Sequence, residues 1–183
     1  MTIRHTVTIF LAATMALVTA LGFTAARPDA AEAATVAVKT CAGGSIQLSE
    51  AENKMLVLHN RTRGNRGLSK LCVDPKLQKA ARAHSRDMIE RDYFDHDTKG
   101  TNEDFSKRLT RYGYNWRLCG ENITYGSSSY GTAENRFKAW MNSPGHKANI
   151  LKKGFREVGI GAFNGDYKGT DNVTMWTADF GTR

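Results

Sequence analysis

The chain has 183 residues, 26 Lys and Arg against 18 Asp and Glu, and 40% hydrophobic residues. That length supports one domain with a sizeable core and is too short for two ordinary ones. The net charge of +8 is spread along the chain with no recognition helix or aromatic-interleaved basic stripe, which argues against a nucleic-acid partner and for solvated surface charge.

In chain order, Arg4 and His5 precede an apolar run from Val7 to Phe23, and Ala31-Glu32-Ala33 offers the small-x-small pattern a signal peptidase reads. Residues 1–34 are therefore expected to be a secretory signal peptide rather than a membrane anchor, because the run is short and ends in an alanine-rich tract. Its removal leaves the charge balance unchanged, since Arg4 and Arg27 leave together with Asp29 and Glu32. The mature product reads as secreted, with no transmembrane anchor. Residues 35–48 read as a Gly-rich leader around Ala42-Gly43-Gly44, and residues 49–183 as the folded domain.

Three cysteines in an exported domain favour one disulfide and one leftover thiol, with three possible pairings. Cys72–Cys119 is the favoured pair, closing a loop of about 46 residues and contributing on the order of 3–4 kcal/mol. Cys41 is then left free or bonded to another chain.

Ser49-Glu50-Ala51-Glu52 is a capping box that predicts a helix from about residue 50 to 63. Asp74-Pro75 supplies a cap and a first-turn proline for a second helix, whose inward stripe includes Leu77, Ala80, Ala81, His84 and Met88. A shorter helix fits 103–112, stopped by Gly113. Leu118 to Tyr125 reads as a strand, and Thr132 caps a fourth helix bearing Phe137 and Trp140. After the Ser143-Pro144-Gly145 corner, His146 to Leu151 makes a brief helical turn. Val158–Phe163 and Val173–Phe180 read as two strands of an antiparallel hairpin, with Asn164-Gly165 beginning the turn. The expected class is α+β, with helices layered about a small, mostly antiparallel sheet.

Several short motifs fall along this framework. They are His59-Asn60 with Arg63; Ala81, His84-Ser85 and Met88; and Tyr93-Phe94 with His96. Farther on come Gly120-Glu121-Asn122-Ile123, Trp140 to Leu151 with its Ser-Pro-Gly-His corner, Val158-Gly159-Ile160-Gly161, and Trp176-Thr177 with Phe180-Gly181. In this order, over roughly residues 50 to 182, they resemble the CAP superfamily of cysteine-rich secretory, antigen 5 and pathogenesis-related 1 proteins, in its bacterial form. The resemblance implies an α-β-α sandwich. It also implies a cleft lined by two histidines and two glutamates, which in some members holds a divalent metal. His96 matches the first histidine, Glu121 the first glutamate and His146 the second histidine. The second glutamate is unmatched, and Ser143 stands about where it would lie.

Two neutral imidazoles and one carboxylate suffice to bind zinc with an open water position, so His96, Glu121 and His146 are the candidate metal ligands. One missing carboxylate weakens the expected affinity. The structural alternative is that Glu121 accepts a hydrogen bond from His96 or His146 and ties the layers together. His84, on a helix stripe, reads as a hydrogen-bonded core histidine. Asn122 and Asn149 read as backbone tethers, and Trp176 and Phe180 as core. Ser143 and His146 lack a Gly-x-Ser-x-Gly elbow and a third partner, which disfavours a serine hydrolase; Ser143 fits a cap or cleft wall. The resemblance implies an extracellular binding module for a lipid, sterol-like or cell-envelope ligand. The competing readings are a metal-assisted hydrolase of peptides or esters, and a non-catalytic surface interaction protein.

Overall fold

A computed structural model of the chain describes residues 34–183; the expected signal peptide lies almost wholly outside them. The elements run β1 (Thr35–Lys39), β2 (Ser45–Ser49), α1 (Glu50–Gly64), β3 (Cys72–Val73), α2 (Pro75–Glu90) and α3 (Phe105–Arg111). They continue with β4 (Leu118–Ser127), a 3-10 turn, α4 (Ala133–Asn142), α5 (Pro144–Ile150), β5 (Glu157–Tyr167) and β6 (Thr170–Thr182). The fold is α+β, as the element pattern predicts.

The helix starts follow the sequence closely. Ser49 Oγ accepts from the Glu52 amide at 3.2 Å, and Glu52 Oε2 accepts from the Ser49 amide at 2.9 Å. That carboxylate also receives the Arg82 guanidinium, with contacts of 2.6 and 2.8 Å, and so joins α1 to α2. Asp74 caps α2 through the Lys76 and Leu77 amides. Asp104 caps α3, and Tyr112 with Gly113 ends it.

The main sheet has the order β3-β5-β6-β4, antiparallel except for the short β3–β5 pair. Alternate residues of β6 face opposite layers, as the period of a strand requires. Trp176, Ala178 and Phe180 join Met55, Leu56, Phe137, Trp140, Val158 and Ile160 in the core on the α1/α4 side. Gly159 and Gly161 of β5 lie under α2. A Cβ on Gly159 would stand 2.1 Å from the Leu77 carbonyl carbon, and one on Gly161 would stand 2.3 Å from that of Ala81. The helix touches the sheet backbone to backbone, which the small Ala80 and Ala81 also permit.

The stretch read as a Gly-rich leader carries β1 and β2, which pair over five residues each as an antiparallel hairpin. Two sequence expectations are corrected. The disulfide is Cys41–Cys72, with Cα atoms 5.1 Å apart, and Cys119 is free. Thr40 bridges Val73 and the Cys41 amide donates to the Val73 carbonyl at 2.9 Å, which places the first two cysteines side by side. Cys72, Glu157, Gly181 and Cys119 form one row across the sheet. Three strand spacings therefore separate Cys72 from Cys119, about 14 Å and twice the reach of a disulfide. Last, the hairpin turn is not at Asn164-Gly165. The ladder passes through them with a register shift and turns at Lys168 and Gly169, whose φ values of 47° and 77° supply the left-handed geometry a tight hairpin needs.

Candidate functional site

Glu121 sits on β4 directly across from Asp179 of β6, on the sheet face that looks toward α2 and α3. Its side chain has no exposure. His96 Nδ1 donates to Glu121 Oε1 at 2.7 Å, and Arg108 Nη2 of α3 donates to Oε2. Arg108, also buried, extends Nη1 to the His96 carbonyl at 3.0 Å and to Thr98 Oγ1 at 3.4 Å. One guanidinium therefore holds both the carboxylate and the loop that carries the imidazole. Burial disfavours charge on Glu121, but the His96 hydrogen bond and the Arg108 charge outweigh it and hold the carboxyl below the usual range. The same hydrogen bond raises His96, against the opposing effect of its partial burial.

Asp179 is the reverse case. It is fully buried, and neither of its oxygens has a hydrogen-bond donor. Burial first, and then the Glu121 charge beside it, push its carboxyl well above the usual range. Burial and the Glu121 charge thus both favour the protonated form of Asp179, while Glu121 itself is paired with Arg108.

Asparagine tethers bring α5 to this assembly. Asn122 Nδ2 donates to the His146 carbonyl at 2.9 Å, and Asn149 Nδ2 donates to the Glu121 carbonyl at 3.1 Å and to Asn122 Oδ1 at 2.9 Å. The far end of α5 is clamped by buried Arg63, which donates to the carbonyls of Ile150, Lys152 and Phe155 at 2.9–3.0 Å. His146 is thereby set beside His96 in a cleft of about 420 Å³, with Phe94, Asp95, Ile123, Thr124 and Tyr125 forming the rest of the wall. Partial burial and the neighbouring His96 push the His146 imidazole down.

The other sequence candidates separate cleanly. His84 is a core histidine with Nε2 2.9 Å from the Asp95 carbonyl. His59 is buried against Phe137, Trp140 and Phe180, with Nδ1 2.8 Å from the Met55 carbonyl. Ser143 stands at the N-cap of α5, but its hydroxyl makes no capping hydrogen bond and it does not line the cleft. The Ser143–His146 pair is not a nucleophile–base dyad among the hydrogen bonds of the described residues.

As a ligand set for zinc, the three candidates fit poorly in this geometry. His96 and His146 share the cleft, but both Glu121 oxygens are engaged inside the protein. Among the described residues no group of three or more His, Cys, Asp and Glu is placed to hold a metal ion. Sequence reasoning missed Arg108 and Asp179. Each carried a signal: Arg108 lies on the apolar stripe of Phe105, Leu109 and Tyr112, and Asp179 lies inside Val173–Phe180, a stretch with no other charge.

A family model described as CAP, the cysteine-rich secretory protein family, matches residues 56–180. The chain belongs to the CAP family. It is 36% identical to the uncharacterized protein YkwD of Bacillus subtilis over 133 residues, covering 73% of this chain and 48% of that protein. It is 34% identical to the B. subtilis membrane protein YlbC over 113 residues, 61% of this chain and 31% of YlbC. The chain thus spans half or less of these curated relatives. Among solved structures, it is similar to an extracellular SCP-domain protein of Bacillus anthracis (27% identity, TM-score 0.62, covering 73% of this chain and 40% of that one). An outer surface protein of Borrelia burgdorferi is similar over nearly its whole length (25% identity, TM-score 0.59, covering 73% of this chain and 96% of that one). Two CAP neighbours are thus described as extracellular or outer-surface proteins, and no described helix of this chain is long and apolar enough to cross a membrane.

Proposed function

We propose that this CAP protein is an exported binding module whose cleft takes a ligand of the lipid, sterol-like or cell-envelope class. The observation that carries this reading is the enclosure of Glu121. The one carboxylate common to the candidate chemistries is held inside by Arg108 and His96, and no atom of its side chain is exposed. A buried, ion-paired carboxylate orients its imidazole partner but is withheld from solvent as a base or ligand. What faces outward is a recognition surface: two imidazoles, a hydroxyl, the Asp95 carboxylate and two aromatic rings. The extracellular and outer-surface settings of two structural relatives support export, as does the N-terminal address pattern.

The second reading, a metal-assisted hydrolase, draws on one observation, that His96 and His146 face the same cleft. Native mass spectrometry of the protein purified from its own culture medium separates the two. Binding predicts an organic adduct retained by the wild type and lost in His146→Ala. Stoichiometric zinc, together with peptide or ester turnover abolished by Glu121→Gln in a folded protein, would favour the hydrolase.

A further inference from the structure

Resting on the binding-module reading, we infer that the ligand is a neutral glycan chain, stacked on Phe94 and Tyr125 and hydrogen-bonded by Asp95, Thr124 and His146. Three observations lead there. First, Phe94 and Tyr125 are 39% and 42% exposed, and their rings meet edge to face with centroids 4.9 Å apart. Tyr125 is braced behind by Tyr167 at 5.2 Å. Two large rings in mutual contact at a cleft mouth offer a platform on which an apolar face can stack.

Second, the buried charge behind the cleft is paired: Glu121 is held by Arg108 and by His96. The cleft itself is lined by one carboxylate, Asp95, with the Thr124 hydroxyl and the His96 and His146 imidazoles. These are acceptors and donors of the kind that pair with sugar hydroxyls.

Third, the cleft continues. A second groove of about 420 Å³ shares Phe94 and Asp95, and its wall adds Tyr93 and the opposed charges of Asp92 and Asp97 against Lys99 and Lys168. Both grooves share the Phe94-Asp95 ridge, so a linear chain can pass from one to the other over the ring. An acyl chain fits this trough badly. Each CH₂ contributes only when it leaves water, and here polar side chains interrupt the apolar wall at short intervals. A sugar chain alternates apolar C–H faces with hydroxyls, which is the alternation the trough presents.

The test titrates the purified full chain with chitotetraose, a soluble β-1,4 N-acetylglucosamine tetramer, by isothermal calorimetry. In parallel, the protein is assayed for cosedimentation with phosphatidylglycerol–phosphatidylethanolamine vesicles, with and without sterol. Saturable heat with the tetramer, weakened about tenfold by Tyr125→Leu and left unchanged by Tyr130→Ala, supports the inference. Tyr125→Leu keeps an apolar side chain but removes the ring; an unchanged Tm establishes that it folds. If Tyr125→Leu unfolds, Phe94→Leu asks the same question. Tetramer binding indifferent to both rings overturns the inference. Vesicle binding that depends on Tyr125, with no tetramer heat, overturns the glycan and leaves the binding module. Absence of both sinks the two together.

Discussion

The Arg108 guanidinium and the Glu121 carboxylate form an ion pair with side-chain exposures of 2% and 0%. Desolvating two charges is costly, and the pair is tolerated because each partner is further hydrogen-bonded: Glu121 by His96, Arg108 by the His96 carbonyl and Thr98. The arrangement links α3, β4 and the His96 loop, so the position of the cleft imidazole depends on a contact buried behind it.

Removing one member of that pair should be severe. Arg108→Met leaves Glu121 charged and buried, and is expected to destabilise by about 3–5 kcal/mol in urea denaturation. Arg108→Met combined with Glu121→Gln should cost less than the sum of the two single changes, because the double variant strands no charge. Additive losses would show that the two side chains act independently.

Asp179→Asn should stabilise. With its folded value raised above its unfolded one, Asp179 holds its proton more tightly in the native state than in the unfolded chain, so it costs stability as pH rises past the unfolded carboxyl range. An asparagine removes that penalty, because it is the same shape and has no proton to lose. A gain of about 1–3 kcal/mol at pH 8, vanishing near pH 3, is the predicted profile. A variant less stable at pH 8 would mean that Asp179 is ionised and paired.

Much of the fold is legible in the sequence, because it is specified locally. Ser49 with Glu52, Asp74 with Pro75, Thr132 and Gly113 mark element ends through bonds within a few residues. The candidate site was half legible. His96, Glu121 and His146 could be placed, as could the tethers Asn122 and Asn149, through the resemblance to the CAP family. Arg108 and Asp179 could not be assigned roles: their positions on an apolar stripe and inside an apolar strand signal burial, but their partners lie 13 residues away or on another strand. The disulfide was misread for the same kind of reason. Cys41 meets Cys72 only because a hairpin at 35–49 lies against β3, and alternation in that Gly-containing stretch is too short to show.

The Cys41–Cys72 bond closes a separation of 31 residues. Loop entropy puts its contribution at roughly 3–4 kcal/mol, so Cys41→Ser with Cys72→Ser should lower the denaturation midpoint accordingly. Cys119→Ser should leave it nearly unchanged. Peptide mapping under non-reducing conditions should recover the Cys41–Cys72 crosslink; a crosslink to Cys119 would refute the sheet order.

Acid should unfold the protein earlier than its surface chemistry alone would suggest. Burial lowers His59 and His84 to about 4 each. Their folded values lie below the unfolded value of 6.5, so the unfolded state takes up protons first. Stability is then complete above pH 6.5 and lost as pH falls toward 4, at up to about 3 kcal/mol per histidine. Denaturation midpoints measured between pH 4 and 8 should show this slope. His59→Phe, which keeps the packing against Trp140, should remove about half of it. An unchanged slope would place the titrating groups elsewhere.

The most direct test of the account is an NMR titration of the His96 and His146 rings in the wild-type protein. Glu121, held by Arg108 and turned inward, should raise His96 above 6.5 with its Nδ1 protonated, while His146 titrates below 6.5. Zinc at equimolar concentration should leave the Glu121–His96 hydrogen bond in place. A His96 that titrates at or below 6.5, or whose Nδ1 loses its proton to stoichiometric zinc, would contradict the account and return Glu121 to the cleft as a ligand.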